Sequence, residues 1–158
     1  FTQACLAKTA VEDPHPMAFA DADQFSTERV IDRTWRLFEG CREMRELIPP
    51  KAKQSSHRMD LTTCVIHGAW AGSTSTAADY AAYVAALNET DKMKQKSTDT
   101  EAHFCELMGE RVKGWGLGSK LIVISTPTLK DASYIERQRL MGDNRRRLVP
   151  CPHCGHFQ

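Results

Sequence analysis

Residues 83–91 read YVAALNETD, a short apolar run that ends abruptly in polar and acidic side chains. A buried parallel strand has this pattern when it delivers a carboxylate to the carboxyl edge of its sheet. Residues 120–127, KLIVISTP, repeat the design, with branched aliphatic residues followed by hydroxyls and a proline. The sequence between the two runs is helical in pattern, so we predict neighbouring strands of an α/β sheet. Ligands bind at the carboxyl edge of open α/β sheets, and we expect Glu89 and Ser125 to share that edge.

The composition is that of a soluble domain. The chain has 158 residues, 41% hydrophobic and 26% charged, a length that suits one domain or one domain plus the start of another. No apolar run approaches the ~20 residues of a membrane span, and no signal segment opens the chain. The net charge of +1 argues neither for nor against nucleic acid. Two of the six cysteines lie in a C-x-x-C motif, and the other four are scattered over helical and strand segments. This distribution predicts a reduced, cytoplasmic setting.

Alternating strand and helix patterns occupy the remainder of the chain, which predicts the α/β class. Residues 68–76 are predicted to be a glycine-rich turn and residues 92–100 an exposed loop. The predicted helices are residues 1–12, 24–38, 43–48, 77–80, 101–113 and 133–141, and the further predicted strands are residues 17–20, 61–66 and 148–149. Asp21 or Asp23 is expected to cap the second helix. The buried face of that helix is expected to contain Phe25, Val30, Ile31, Trp35, Leu37 and Phe38.

Asn88 and Glu89 are candidates for nucleotide chemistry. A carboxylate at the end of a buried strand can orient and polarise the water that attacks a γ-phosphate, which makes Glu89 the candidate catalytic residue. The preceding position holds Mg²⁺ through a carboxylate in such sites, whereas Asn88 offers an uncharged carbonyl oxygen. Ser125 and Thr126 are candidates to sense a phosphate from the end of the second strand. Either pair, taken alone, is also consistent with ordinary polar residues at a strand end.

Residues 151–155, CPHCG, form the most specific short motif in the chain. Two cysteines at this spacing bind one tetrahedral Zn²⁺, and the amides of the turn donate hydrogen bonds to the sulfurs. Cys151 and Cys154 are therefore candidate zinc ligands, and a complete site needs further ligands. A motif without metal is the alternative. A redox motif is disfavoured, because no thioredoxin-like strand precedes the cysteines.

Phosphate-binding and DNA-binding signals are weaker. No G-x-x-x-x-G-K-[ST] phosphate loop occurs, and residues 7–9 are helical in pattern rather than the end of such a loop. Arg145–Arg147, together with Lys51, Lys53 and Arg58, are suited to contact a DNA backbone. Such clusters are also common on solvated surfaces.

Taken in order, these segments resemble the large terminase subunit of tailed bacteriophages, specifically its GpA-type family, over essentially the whole chain. The ordered set is far more specific than any one of its members. The resembling segments are the strand link at 13–17 (DPHPM), the helix at 24–30, the glycine-serine loop at 72–75 (GSTS), the Walker B region at 87–93 (LNETDKM), the coupling motif within 125–136 and the zinc-knuckle start at 149–155.

This resemblance implies a P-loop NTPase-like, mainly parallel sheet flanked by helices, with ATP and Mg²⁺ as cofactors and Zn²⁺ at the knuckle. Glu89 would be the catalytic carboxylate and Asn88 the magnesium-side residue. Ser125 and Thr126 would couple the phosphate state to DNA movement. The implied partners are double-stranded viral DNA, the small terminase subunit, the portal protein and further copies of the chain in a ring. The implied location is the cytoplasm of the bacterial host, with no membrane.

Residues 1–149 are accordingly expected to be a partial ATPase domain of a packaging motor, with its first strand and phosphate loop upstream. Residues 150–158 are expected to begin a zinc knuckle that leads to a nuclease domain. Asn88 departs from the aspartate of the family pattern. Without the phosphate cradle, residues 1–158 are expected to bind ATP poorly and not to hydrolyse it. The alternatives are a helicase-like P-loop ATPase and a zinc-bearing DNA-binding or scaffold protein without enzymatic activity.

Overall fold

A mostly parallel β-sheet with helices on both faces forms the framework of the protein. The structure, a computed structural model, describes residues 2–52, 55–78, 80–93, 103–129, 132–145 and 148–157. The strands are β1 (Met17–Asp21), β2 (Arg58–Asp60), β3 (Val65–Trp70), β4 (Val84–Asn88) and β5 (Lys120–Ile124). The helices are α1 (Thr2–Glu12), α2 (Gln24–Gly40), α3 (Arg42–Arg45), α4 (Thr74–Ala78), α5 (Phe104–Lys113) and α6 (Tyr134–Met141), with 3-10 turns at Thr90–Lys92 and Gly116–Gly118. The expected α/β class is confirmed.

The strand order in the described part of the sheet is β2-β3-β1-β4-β5. Strands β3, β1, β4 and β5 are parallel, and β2 pairs antiparallel with β3 at one edge. The register places Leu87 beside Ala20 of β1 and Asn88 beside Ile124 of β5. The two apolar runs are therefore neighbouring parallel strands, as predicted, and the residues that follow them emerge at one edge of the sheet.

The central strands are buried on both faces. In β1, Met17 and Phe19 belong to the core that packs against α1 and α2, whereas Ala18 and Ala20 belong to the core that packs against α5. Successive side chains of a strand point to opposite faces, so this alternation follows from the extended backbone. A strand covered by helices on both faces needs a continuous apolar run, which explains the composition of β1 and β4.

β5 differs from β4 although the two sequences have the same design. It lies at the end of the described strand order, and the side chain of Leu121 is 39% exposed. The expectation of a fully buried strand is therefore wrong for β5 within the described residues. The reason is that neighbours cover β4 on both sides, whereas β5 pairs with β4 at one of its edges.

The buried face of α2 is narrower than predicted. Ile31, Trp35 and Phe38 are buried, but Phe25 is 67% exposed and Leu37 is 38% exposed. The three buried residues recur at the spacing of one helical stripe, and the two exposed residues fall outside it. Apolar composition alone therefore assigned too many residues to the core.

The strand predicted at residues 61–66 starts later, at Val65, and its first four residues are not part of it. Residues 61–64 form the tight turn between the antiparallel strands β2 and β3, and Leu61 N donates a hydrogen bond to Cys64 O at 2.9 Å. β3 starts at Val65 and continues to Trp70, through residues that were predicted to be a glycine-rich turn. The β-branched threonines of the turn resemble strand sequence, and the glycine of β3 resembles turn sequence, so composition misplaced the boundary by several residues.

The other predicted helices lie within a few residues of their expected positions. α4 and α5 are the helices expected at 77–80 and 101–113, and α6 is the one expected at 133–141. Most of the loop predicted at 92–100 lies outside the described residues, as do Lys53, Arg146 and Arg147 of the basic residues. None of the described helices has the length and apolar character that a membrane crossing needs.

Gly68 in β3 lets α2 lie close to the sheet. A Cβ atom at this position would be 2.9 Å from Cγ2 of Thr27 on α2 and 3.1 Å from the carbonyl oxygen of His57. Both neighbours are fixed, because the hydroxyl of Thr27 donates a hydrogen bond to Ala69 O at 2.9 Å and His57 O accepts one from Gly68 N at 2.7 Å. The glycine is thus required by close packing rather than by backbone flexibility.

We predict that Gly68→Ala lowers the free energy of unfolding by about 1–3 kcal/mol, since overpacking a rigid contact costs about that much. Urea unfolding followed by circular dichroism measures the change. Gly40→Ala is the matched control, because a Cβ atom there meets nothing within 4 Å. A Gly68→Ala protein as stable as the Gly40→Ala protein would contradict the packing argument.

Candidate functional site

The carboxyl edge of the sheet collects polar side chains from three strands. Asp21 is the last residue of β1, Asn88 is the last residue of β4, and Ser125 directly follows β5. Glu89 directly follows β4. The parallel register therefore brings the predicted residues Asn88, Glu89 and Ser125 to one edge, together with Asp21, for which only a helix cap was predicted.

Asp21 and Asn88 form a side-chain pair across β1 and β4. Asn88 Nδ2 donates a hydrogen bond to Asp21 Oδ2 at 2.9 Å, and Ala22 N donates one to Asp21 Oδ1 at 2.7 Å. The residue Asp21 is only 3% exposed. Burial raises the pKa of its carboxyl, the hydrogen bonds from Asn88 and Ala22 offset part of the rise, and the carboxylates of Asp23 and Glu89 add to it. The hydrogen bonds from neutral partners therefore do not fully offset the desolvation cost of ionising this carboxyl group.

Asp23, not Asp21, caps α2. Asp23 Oδ1 accepts a hydrogen bond from Ser26 N at 2.8 Å, which satisfies one of the free amides of the first turn. Of the two aspartates that the sequence offered as caps, one therefore has an ordinary structural role. The other lies at the end of β1, beside Asn88.

Glu89 has a strained backbone and an ion-pair partner. Its φ of 55° and ψ of 42° lie in the left-handed region, which costs a residue with a side chain about 1–2 kcal/mol. Its carbonyl accepts a hydrogen bond from Lys92 N at 2.9 Å, and its Oε2 lies 2.8 Å from Lys92 Nζ. The hydrogen bond and charge of Glu89, with a smaller effect from Asp21, raise the pKa of Lys92. The turn thus fixes both the backbone and the carboxylate of Glu89.

Asp91 connects the turn after β4 to the loop after β5. Its backbone N donates to Ser125 Oγ at 3.0 Å. Its carboxylate accepts hydrogen bonds from Thr128 N at 3.1 Å, from the hydroxyls of Thr128 and Ser133, and from Ile135 N at 2.9 Å. Ser133 is the N-cap of α6, and the Asp91 carboxylate accepts a further amide of its first turn, that of Ile135.

The many donors control the ionisation of Asp91. Burial by itself would raise the pKa of its carboxyl, but the hydrogen bonds from Ser133, Ile135 and Thr128 outweigh burial and lower the pKa below its ordinary value. The ionised form is therefore the one that the fold stabilises. The sequence placed Asp91 in the acidic cluster but assigned it no role, because its partners follow it by more than thirty residues (Asp91 to Thr128 spans 37 positions).

The predicted residues of the second strand differ from each other. Ser125 is half-buried and accepts the hydrogen bond from Asp91, whereas Thr126 is exposed. The hydroxyl that contacts Asp91 further along the loop belongs to Thr128. Ser125 and Pro127 also line a cavity of about 380 Å³ whose other wall is formed by Ile135, Glu136 and Arg139 of α6. An open, partly charged space therefore adjoins the end of β5.

The cysteine motif forms a tight turn that orders Cys151. Cys151 N donates to His156 O at 2.8 Å, and Gly155, whose φ is +71°, donates to Cys151 O at 2.9 Å. Backbone hydrogen bonds from Cys154 and His153, then the side chain of Cys154, lower the pKa of the Cys151 thiol. An amide-stabilised thiolate of this kind suits a metal ligand.

Two further findings qualify the predictions for this segment. The strand predicted at 148–149 is absent, and an isolated antiparallel bridge joins Pro150 to Phe157 instead. The described residues contain no group of three or more His, Cys, Asp or Glu side chains that is arranged to hold a metal ion. The assignment of Cys151 and Cys154 as zinc ligands therefore stays a prediction.

Comparison with known families identifies one family for the chain. The family model described as "Phage terminase large subunit gpA, ATPase domain" matches residues 1–158. The chain belongs to this family. The resemblance stated from the sequence is thereby confirmed, and the family assigns the chain to the ATPase domain of a phage large terminase. A comparison with curated proteins gives no match.

Solved structures of large terminases share the fold of this terminase domain. The HK97 bacteriophage large terminase has a TM-score of 0.64 and 15% identity over 89% of this chain and 30% of that chain. The large terminase ATPase domain of Thermus phage P74-26 has a TM-score of 0.59 and 16% identity over 99% of this chain and 65% of that chain. At these identities the likeness concerns the fold alone. The chain spans less than two thirds of either structure.

We predict that Asp91→Asn lowers the free energy of unfolding of the terminase domain by about 1–2 kcal/mol at pH 7, because a charged acceptor for two backbone amides is replaced by a neutral side chain with one acceptor oxygen fewer. The pKa of Asp91 is lowered in the folded state, so its contribution is present above the ordinary value of 3.8 and is lost as the pH falls through the folded value. The difference between wild type and variant should therefore be constant at pH values above the ordinary pKa of 3.8 and shrink as the pH falls below it.

Urea unfolding at a series of pH values measures this effect. Asp60→Asn is the control, because Asp60 is exposed on β2 and its contact with Arg58 at 2.8 Å is a surface ion pair, which contributes at most about 1 kcal/mol. If Asp91→Asn unfolds like Asp60→Asn at pH 7, Asp91 does not hold the two loops together.

Proposed function

We propose that the full-length protein to which this domain belongs hydrolyses ATP to drive double-stranded viral DNA into a capsid. Family membership supports an ATPase of the DNA-packaging machinery. One observation carries the proposal further: the turn after β4 and the loop after β5 are joined by the hydrogen bond from Asp91 N to Ser125 Oγ at 3.0 Å. A change at a nucleotide held beside Glu89 would therefore reach the loop after β5 directly.

Glu89 is proposed to orient the water that attacks the γ-phosphate. Its carboxylate follows the buried strand β4, and the strained turn gives it one defined position. Lys92 holds the carboxylate through the ion pair, and its side chain is 61% exposed. The ion pair therefore fixes the position of the Glu89 carboxylate, which in this proposal still faces the bound nucleotide.

The oxygen atoms at the edge suit a magnesium ion. Asn88 offers an amide oxygen and Asp21 a carboxylate, and Mg²⁺ prefers oxygen ligands, with one or two carboxylates from the protein and the remainder from phosphates and water. When bound, Mg²⁺ would neutralise charge that develops on the β- and γ-phosphates. Asn88 and Asp21 would hold it. The lack of a complete ligand cluster among the described residues is compatible with a site that forms together with the nucleotide.

Ser125 and Thr126 are proposed to couple phosphate state to movement. Ser125 is bonded to the turn after β4, and the exposed Thr126 is next to it. Asp91 then connects this loop to α6 through Ile135 N. Release of the γ-phosphate would shift the loop and α6 together, and α6 would act on a surface that grips DNA.

We also propose that the phosphate loop belongs to a strand beside β5. Residues 1–158 contain no phosphate-loop motif, the outer side of β5 is half-exposed, and an open cavity adjoins Ser125. In this proposal residues 1–149 are a partial ATPase domain, and residues 1–158 alone bind ATP poorly. A nuclease elsewhere in the protein would cut the concatemeric DNA, and the small subunit, the portal protein and a ring of copies in the bacterial cytoplasm would complete the machine.

Residues 150–158 are proposed to begin a zinc knuckle. The ordered turn and the amide-stabilised thiolate of Cys151 support two ligands, Cys151 and Cys154. The remaining ligands would come from residues outside the described part of the chain. A zinc ion here would fix the direction in which the chain leaves the ATPase domain.

Glu89→Gln in the full-length protein should reduce ATP hydrolysis by about a hundredfold or more, because a general base contributes about 10²–10⁴-fold. ATP affinity should stay within about threefold of wild type, since glutamine keeps the shape and loses only the charge. Phosphate release and equilibrium binding of a fluorescent ATP analogue measure the two quantities. Glu110→Gln is the control, because Glu110 pairs with Lys113 on the exposed side of α5.

Unchanged hydrolysis by Glu89→Gln would remove Glu89 from the catalytic role. Residues 1–158 alone provide the second comparison, and we expect no Mg²⁺-dependent phosphate release from them. Measurable turnover by that segment would contradict the proposed phosphate loop beside β5.

The full-length protein should contain zinc, and Cys151→Ser or Cys154→Ser should lose it, because each removes one ligand from a tetrahedral set. Elemental analysis after expression with added zinc measures the stoichiometry. Cys41→Ser is the control, because the half-buried Cys41 thiol donates to Glu43 on α3 and lies outside the motif. Wild-type protein without zinc would exclude the knuckle.

A further inference from the structure

We infer that Asp21 supplies the carboxylate of the magnesium position, a role that the family pattern gives to the residue at position 88. This inference rests on the proposed ATPase function and concerns the same edge of the sheet. In this chain the carboxylate is at the end of β1, on Asp21, whereas the family pattern has it at the end of β4, where this chain has the amide of Asn88.

The register of the sheet makes the two positions equivalent neighbours. Ala20 pairs with Leu87, so the next residues, Asp21 and Asn88, end their strands side by side. The distance of 2.9 Å from Asn88 Nδ2 to Asp21 Oδ2 places the carboxylate one hydrogen bond away from the side chain at position 88. A cation that is held at this edge by Asn88 is therefore within reach of Asp21 as well.

The chemistry of the pair fixes which atoms face each other. An ionised carboxylate only accepts hydrogen bonds, so the NH₂ group of Asn88 must be the one that contacts Asp21. The amide oxygen of Asn88 then remains available as a ligand. Asp21 uses one lone pair of Oδ1 for Ala22 N and one of Oδ2 for Asn88, and each carboxylate oxygen retains another. The pair can thus offer a charged and a neutral oxygen ligand.

A purely structural role does not explain the charge of Asp21. Its hydrogen-bond partners, Ala22 N and Asn88 Nδ2, are both neutral. The Lys92 ammonium forms its ion pair with Glu89, and Asp21 has only a smaller electrostatic effect on it. Burying a carboxylate without a cation in contact is unfavourable. An asparagine at this position would accept one of the two hydrogen bonds, and with the Asn88 amide turned over it would donate the other, all without a charge. A bound divalent cation supplies the missing countercharge.

The test exchanges the two side chains in the full-length protein. Wild type, Asp21→Asn and the double variant Asp21→Asn/Asn88→Asp are compared with Mn²⁺ as the probe for Mg²⁺ and with an ATP analogue whose β,γ-bridge cannot be hydrolysed. Electron paramagnetic resonance measures free Mn²⁺, and thermal unfolding verifies that each variant is folded. Asp23→Asn is the control, because Asp23 lies two residues away and caps α2.

Asp21→Asn should weaken Mn²⁺ binding in the presence of the analogue by about tenfold or more, the scale on which changes close to a metal act. The exchanged double variant should return to within about threefold of wild type, and Asp23→Asn should bind Mn²⁺ like wild type. This pattern would not arise from a structural role, because the exchanged variant restores a carboxylate to the edge, while thermal unfolding reports any loss of structure separately.

Two results would overturn the inference. One is Asp21→Asn that folds and binds Mn²⁺ as tightly as wild type. The other is a folded double variant whose Mn²⁺ affinity stays as low as that of Asp21→Asn. If wild type does not bind the analogue at all, the proposed function fails and the inference falls with it. If only the Glu89→Gln experiment fails, the metal measurement still stands, so the two proposals are tested separately.

Discussion

The parallel pairing of β1, β4 and β5 determines where each polar side chain of the site lies. Because side chains alternate along a strand, a shift of the register by one residue would turn Asn88 from its present face to the opposite one. The apolar residues prevent such a shift, since Leu87 and Val84 of β4 belong to different hydrophobic cores on the two faces of the sheet. Burial of the core thus fixes the register, and the register assembles the site.

Three neighbouring carboxylates at the sheet edge have three different kinds of partner. Asp91 is surrounded by hydrogen-bond donors, Glu89 is paired with Lys92, and Asp21 is buried with neutral partners. The first arrangement stabilises the fold, and the second fixes a side chain on a strained turn. The third is unfavourable in isolation. Sites that bind a charged ligand retain such unfavourable groups because the ligand supplies what the protein lacks.

The sequence predicted the parts of this edge that depend on local pattern. Periodicity predicts the strand that ends in Asn88 and a helix cap at Asp21 or Asp23. The rule that parallel strands end at the same edge predicts that Glu89 and Ser125 share that edge. The hydrogen bonds of Asp91 to the loop after β5 and the pair of Asp21 with Asn88 join residues that are 34 and 67 positions apart. Local sequence patterns do not predict contacts over such separations. The strand prediction was wrong at residues 61–64 for another reason: this turn contains β-branched residues, which are typical of strands.

The contacts of Asp91 explain how a small change at one strand end can be transmitted over a larger distance. Its backbone N is bonded to Ser125, and its carboxylate is bonded to Thr128 and to Ile135 at the start of α6. A loop that moved away from Asp91 would leave a charged group with fewer donors, which costs more than the loss of an ordinary surface contact. The turn after β4, the loop after β5 and the first turn of α6 are therefore linked through one residue. A motor needs such a unit, because the free energy released at a phosphate has to reach a distant surface before it dissipates in independent loop motions.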